Sequence, residues 1–166
     1  MAMQDSPGTT QKRRFDSVEQ EAFLNLWRTY DKLKELEEAL FTSVELSAQQ
    51  YNTLRLLRAS HPVPIPTLSL GARLISRAPD MTRLLDKLES RNLIQRARRE
   101  DNRRVVNVSL TQAGLDLLDQ LAEPVRMCHE QQLGHLSADE LNSLIHLLKK
   151  ARAPHENRNN LSIADE

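Results

Sequence analysis

The chain has 166 residues, 39% of them hydrophobic and 28% charged, with a formal net charge of zero; this suits one compact domain, or a small module with helical extensions. Aromatics at 4% and only four glycines argue against a β-sandwich or barrel, and the single cysteine, Cys128, excludes an internal disulfide framework and a cysteine-built zinc site. No apolar run approaches the roughly 20 residues of a membrane span, and the opening Met-Ala-Met-Gln-Asp-Ser-Pro-Gly lacks the basic-then-apolar order of a secretory signal, so a cytoplasmic protein is expected.

Residues 1–16 are polar and aperiodic and read as a disordered tail, in which Lys12-Arg13-Arg14 is a solvated charge run. Ser17-Val-Glu-Gln20 has capping-box spacing. Phe23, Leu26, Trp27, Tyr30, Leu33, Leu36 and Leu40 then recur at three- and four-residue steps, which predicts one amphipathic helix over about 18–44 within a dimerisation segment 17–46. Ser47-Ala-Gln-Gln50 is a second capping box and opens a shorter helix with Tyr51, Leu54 and Leu57 on one side.

His61-Pro-Val-Pro-Ile-Pro66 holds the chain extended, with Ile65 placed for one short strand pairing. A short helix is expected at 67–74, a turn at Ser76-Arg77-Ala78, and a second helix with Pro79 in its first turn, running to Ser90 on a stripe of Met81, Leu84, Leu85 and Leu88. Asn92 is a helix stop. The period then falls to two over Ile94–Arg99 and Arg104–Leu110, joined by Glu100-Asp-Asn-Arg103, which is a hairpin. Helix, turn, helix and hairpin in that order make residues 47–110 a winged helix-turn-helix.

Thr111 caps a further helix marked by Leu115, Leu118, Leu121, Val125 and Leu133, with Pro124 expected to kink it. Ser137-Ala-Asp-Glu140 opens a last helix carrying Leu141, Leu144, Ile145 and Leu148. Residues 111–152 are thus a second dimerisation segment and 153–166 a polar tail. The fold class is mainly α with a small β-hairpin wing: a winged helix-turn-helix flanked by N- and C-terminal dimerisation helices. Long helices with one apolar side outside the winged module would leave that side exposed unless a second copy covers it.

Neutral net charge hides an uneven distribution. Residues 67–111 carry ten Lys or Arg against five Asp or Glu, a local excess of +5 offset by −5 elsewhere. Such a patch, rather than the total, sets the local potential that attracts phosphates. The second helix of a helix-turn-helix fits the major groove of double-stranded DNA, with residues near its N-terminus reaching base edges. Here these are Arg77, Asp80, Thr82 and Arg83, with Lys87 farther along. In the hairpin, Arg96, Arg98, Arg99, Arg103 and Arg104 put five arginines within nine residues. A protruding basic hairpin suits the narrow minor groove, and Asp101 is placed to pair with Arg103 and hold it.

Leu84-Leu-Asp-Lys-Leu-Glu-Ser-Arg-Asn-Leu-Ile94, the charged hairpin, and Asp101-Asn-Arg103 leading into Val108-Ser-Leu-Thr111 resemble the MarR family of bacterial transcriptional regulators over roughly residues 18–151. The resemblance implies a homodimer, base reading by the helix after Arg77, and minor-groove insertion of Arg103. It further implies a repressor on an inverted-repeat operator, released in many members by a small phenolic or aromatic molecule bound between the dimerisation and DNA-binding parts. Two departures stand out: Arg77-Ala-Pro-Asp80 replaces serine and threonine common in the family, and Asn92 stands where glycine is usual.

Trp27, Tyr30, Tyr51 and His61 are the candidates for such a ligand pocket, with core packing as the other reading. Cys128 reads as an inert buried thiol in a late helix. His129 and His135, six apart with Glu130 nearby, do not share a helical face, so no metal and no other cofactor is expected. There is no glycine-rich phosphate loop, nucleophile elbow or histidine–carboxylate cluster, so no enzyme is expected. The other reading is a helical dimeric protein-interaction module that uses the winged fold without DNA.

Overall fold

The computed structural model describes residues 15–75 and 80–156. Their contacts divide the chain into two units, residues 1–36 and 37–166.

The first unit holds most of helix α1 (Val18–Ser43). Ser17 accepts a hydrogen bond from the Gln20 amide at 3.1 Å, but the Gln20 side chain accepts from the Asp16 amide, at 2.8 Å, instead of from Ser17. The expected capping box is therefore displaced by one residue on its return arm. Phe23, Leu26, Trp27 and Tyr30 lie along one side of the helix, and all four are exposed.

In the second unit α1 ends in a tight C-cap: the Leu46 amide donates to Phe41 at 2.9 Å and the Glu45 amide to Thr42 at 3.0 Å, with Glu45 in the left-handed region at φ 55°. Ser47 and Gln50 form the full reciprocal box that opens α2 (Ala48–Ser60). The proline-rich stretch yields β1 (Ile65–Pro66), and α3 (Thr67–Arg73) follows at once. Helix α4 is Met81–Ser90. It begins later than the sequence suggested: Asp80 is its N-cap, outside the helix, and Pro79 falls outside the described residues, as do Ser76, Arg77 and Ala78.

Strands β2 (Ile94–Arg98) and β3 (Val106–Leu110) pair antiparallel, and β1 adds to the far side of β3 in the order β1-β3-β2. Ile65 opposes Val108 and Ile94 opposes Leu110, so the apolar positions of all three strands share one face. Thr67 fastens α3 to this sheet, its hydroxyl donating to the Val106 carbonyl at 3.0 Å. The core gathers on that face from Leu54, Leu57, Leu70, Leu85, Leu88, Ile94 and Val108, each almost wholly buried. Every one came from the periodicities that defined the elements.

Helix α5 (Gln112–Leu133) is capped by Thr111 and continues through Pro124; α6 (Ala138–Glu156) follows the Ser137–Glu140 box. The polar tail thus starts later than residue 153. Pro154 forfeits one amide, but an Arg152–Glu156 ion pair at 2.6 Å spans it and the last turn stays helical. Residues 157–166 lie outside the described residues. α6 buries none of its residues, and Met127, Ile145 and Leu147 are exposed on α5 and α6. No helix among the described residues is long and apolar enough to cross a membrane.

Candidate nucleic-acid interface

Helix α4 has a strongly two-sided surface. Leu84, Leu85 and Leu88 are buried, while Thr82, Arg83, Asp86 and Lys87 are exposed. The Asp80 carboxylate accepts from the Arg83 amide at 2.9 Å, so it satisfies a free helix-end donor and places negative charge at the positive end of the helix. That engagement makes Asp80 a determinant of where the helix starts. Arg83 and Lys87 make no ion pair and no side-chain hydrogen bond among the described residues, and stand as free cations beside the N-terminal turn of α2, where Ser47 and Gln49 share a groove with them.

The far end of α4 is held in two ways. Asn92 adopts the left-handed conformation at φ 57°, with the Leu93 amide donating to Leu88 at 3.0 Å and the Asn92 amide to Glu89 at 2.8 Å. Asparagine tolerates this region better than most residues, which explains how it replaces the glycine usual there. Arg91 donates to the Glu45 and Val44 carbonyls at 2.7 and 3.1 Å, tying the end of α4 to the end of α1.

Arg96 is not part of the free basic set that the hairpin composition suggested. Its guanidinium bonds Glu89 at 2.9 and 2.5 Å and Asp86 at 2.5 Å, and its amide donates to Glu89 at 3.1 Å. Both acids are on α4 and Arg96 is on β2, so this cluster fastens the reading helix to the wing. Hydrogen bonding from Arg96 is the main cause that lowers the Glu89 carboxyl below its usual 4.5. A lowered carboxylate contributes stability that is present above 4.5 and lost as the pH falls through the lower folded value. Urea midpoints of the wild type are therefore expected to drop between pH 5 and 3.5 by more than those of Glu89→Gln, which lacks that titration; parallel pH curves for the two would refute the clamp. Glu89 is substantially solvated, so the difference is small.

The wing strands are each shorter than their alternating pattern. The Arg99 amide closes on the Val105 carbonyl at 3.0 Å, the Val105 amide on the Asn102 carbonyl at 2.9 Å, and the Arg104 amide on the Asn102 side chain at 3.1 Å. Residues 99–105 thus form a self-bonded tip. Asp101 pairs with Arg99 through both carboxylate oxygens, one contact at 2.9 Å, and not with Arg103 as the sequence suggested. The Arg99 hydrogen bond lowers the Asp101 carboxyl. The two residues are separated by only one, close enough for a bidentate fork, and they cancel each other's charge. Arg98, Arg103 and Arg104 remain exposed, with no side-chain partner among the described residues. One open cleft joins wing and helices, lined by Thr67, Leu68, Thr82, Leu85, Arg99 and Arg104 among others.

The four pocket candidates fall in different units. Trp27 and Tyr30 line an apolar groove on α1 with Phe23 and Leu26. Tyr51 stacks on Phe41 with ring centroids 4.5 Å apart, and burial pushes its hydroxyl upward. His61 is exposed and its amide ends α2 on the Arg58 carbonyl. Cys128 is buried, and burial first, then the Glu37 charge, raises its thiol, which favours the protonated and less nucleophilic form. His129 lies 3.0 Å from Gln132 and 3.9 Å from Glu37, and no group of three or more metal-ligating side chains occurs among the described residues. Asn92 ends α4 as its place in the sequence suggested, whereas Arg91 is a structural residue at this interface that sequence reasoning did not assign; the unsatisfied carbonyls at the end of a helix are the signal for it.

Residues 46–106 match the family model described as MarR family. The chain is 60% identical to a MarR transcription factor from Planctomyces limnophilus, over 82% of this chain and 98% of that one, with a TM-score of 0.66. It is 29% identical over 86% of its length to the HTH-type transcriptional repressor NicR of Pseudomonas putida, covering 89% of that protein. It is 25% identical, with a TM-score of 0.69, to a mutant MarR of E. coli complexed with operator DNA, over 81% of this chain and 94% of that one. A winged helix with these free arginines, a mostly helical frame around a three-stranded sheet, and this degree of likeness over nearly the whole of the Planctomyces protein place the chain in the MarR family of transcriptional regulators, which are not enzymes.

Proposed function

We propose that the chain is a repressor that binds an inverted-repeat operator as a homodimer, with Thr82, Arg83 and Lys87 of α4 in the major groove and Arg98, Arg103 and Arg104 of the wing against the minor groove and backbone. Asp80 and Asp101 serve by positioning, Asp80 by capping α4 and Asp101 by holding Arg99 at the wing tip. Arg77, at the start of the reading segment, is assigned a backbone or base contact by its place in the family pattern. The observation that carries the proposal is the sorting of charge: among the basic residues of α4 and the wing, Arg96 and Arg99 are neutralised by neighbours, while Arg83, Lys87, Arg98, Arg103 and Arg104 are left free. Unpaired cations on a reading helix and its wing are what phosphate recognition needs.

The exposed apolar side of α1, with Met127 of α5 and Ile145 and Leu147 of α6, supports the dimer, since a second copy would remove these side chains from water. A two-fold axis would set the reading helices about 34 Å apart, one turn of DNA. The names of relatives support repression: NicR is a repressor. Release by a small phenolic or aromatic effector is proposed on the family resemblance, with Trp27 and Tyr30 offering exposed rings for stacking.

A salt titration tests the reading. With about six phosphate contacts, operator affinity is expected to fall by about 10³ between 50 and 200 mM salt. Binding that is insensitive to salt, or absent from every duplex in a randomised pool, would favour the protein-interaction module instead.

A further inference from the structure

Leu68 stands in the first turn of α3 with 89% of its surface exposed, whereas Leu70 on the same helix is completely buried. Folding leaves its isobutyl group in water. It lines the cleft that also holds Thr82 of α4 and Arg99 and Arg104 of the wing. Thr82 is the residue after the first of the reading helix, and Arg104 is one of the free wing cations. Arg96 and Arg99 in the wall of this cleft are already paired with carboxylates, so Arg104 supplies the free positive charge there, which favours an anionic occupant, and one with an apolar group to offer Leu68. Duplex DNA meets both conditions. Its backbone supplies the charge, and the thymine 5-methyl is the one apolar group that a base pair presents in the major groove.

We infer that Leu68, on the first helix of the helix-turn-helix and beside Thr82 in an arginine-walled cleft, is a specificity-determining residue that packs against a thymine methyl and selects thymine at one position of each operator half-site. The inference rests on the DNA-binding reading above. It adds an apolar reader from α3 to the polar readers of α4. Because Leu68 supports no core contact, its replacement leaves the fold intact.

The experiment uses the full chain. Randomised duplexes are selected with the wild type, Leu68→Ala and Leu68→Met, and thermal melting confirms that all three fold alike. The wild type and Leu68→Met are expected to select thymine at one position per half-site, and Leu68→Ala to accept any base there. Replacing that thymine with deoxyuridine, which removes only the methyl, is expected to weaken wild-type binding about fourfold per half-site, the value of one buried methyl-sized group, and to leave Leu68→Ala unchanged. Equal thymine selection by wild type and Leu68→Ala, or an equal deoxyuridine penalty in both, overturns the inference while leaving DNA binding standing. Uniform weakening of Leu68→Ala on all duplexes, with no change in base preference, assigns the contact to deoxyribose and also overturns it. Failure of the wild type to bind any duplex overturns the proposed function, and this inference with it.

Discussion

Arg103→Ala is expected to weaken operator binding by about 10² while leaving the melting temperature within about a degree of the wild type. The side chain is exposed at the wing tip and bonds nothing among the described residues, so its removal takes away no folded-state contact. Each lost base or groove contact costs about 1–3 kcal/mol, and a homodimer loses two of them. Its neighbours sharpen the test. Arg99 is already held by Asp101, so it has less charge left to offer DNA. Fluorescence anisotropy at fixed salt measures the effect. A melting temperature several degrees lower would make Arg103 a structural residue, and an unchanged affinity would take the wing away from the DNA.

Gly114→Ala is expected to lower stability by about 2–3 kcal/mol, or about 4–12 °C in melting temperature for a chain of this size. Gly114 lies in the first turn of α5, where a Cβ would stand 2.2 Å from the Leu93 carbonyl oxygen and 3.0 Å from a Leu110 methyl. The obstacle is backbone, which cannot rotate away as a side chain can. The junction is also fixed by hydrogen bonds: the Thr111 hydroxyl donates to the Asn92 carbonyl at 2.6 Å and accepts from the Gly114 amide at 3.1 Å, and the Thr111 amide donates to Leu93 at 3.2 Å. Room for α5 against the start of β2 therefore depends on the missing side chain. Differential scanning calorimetry reads the outcome. An unchanged melting temperature would mean that α5 shifts at no cost and that the close approach is incidental. The two substitutions form a contrast, one removing binding without stability and the other stability without a DNA-facing group.

Much of the candidate interface was legible in the amino-acid order because its signals are local. A stripe of Met81, Leu84, Leu85 and Leu88 at helical spacing gives the buried side of α4 and, by subtraction, the exposed side that carries Thr82, Arg83 and Lys87. Capping residues located α2, α5 and α6 for the same reason: a hydroxyl and the amide three residues on meet through the geometry of a single turn. Pairing was less legible. Asp101 lies two residues from both Arg99 and Arg103, and only the turn at Asn102 decides that it meets Arg99. Arg96 is a hairpin arginine by composition, but the packing of β2 beside α4 brings Glu89 and Asp86 to it.

Sequence alone therefore determined the order of helices and strands, the buried face of α2, α4, α5 and the strands, and which stretch carries surplus positive charge, since periodicity and composition are properties of neighbours along the chain. Only the tertiary structure decided which of those charges remain free for a partner, why Gly114 has no room for a side chain, and that Leu68 is left in water beside the reading helix. Those outcomes depend on which elements come to rest against one another, across separations in the chain that no local pattern spans.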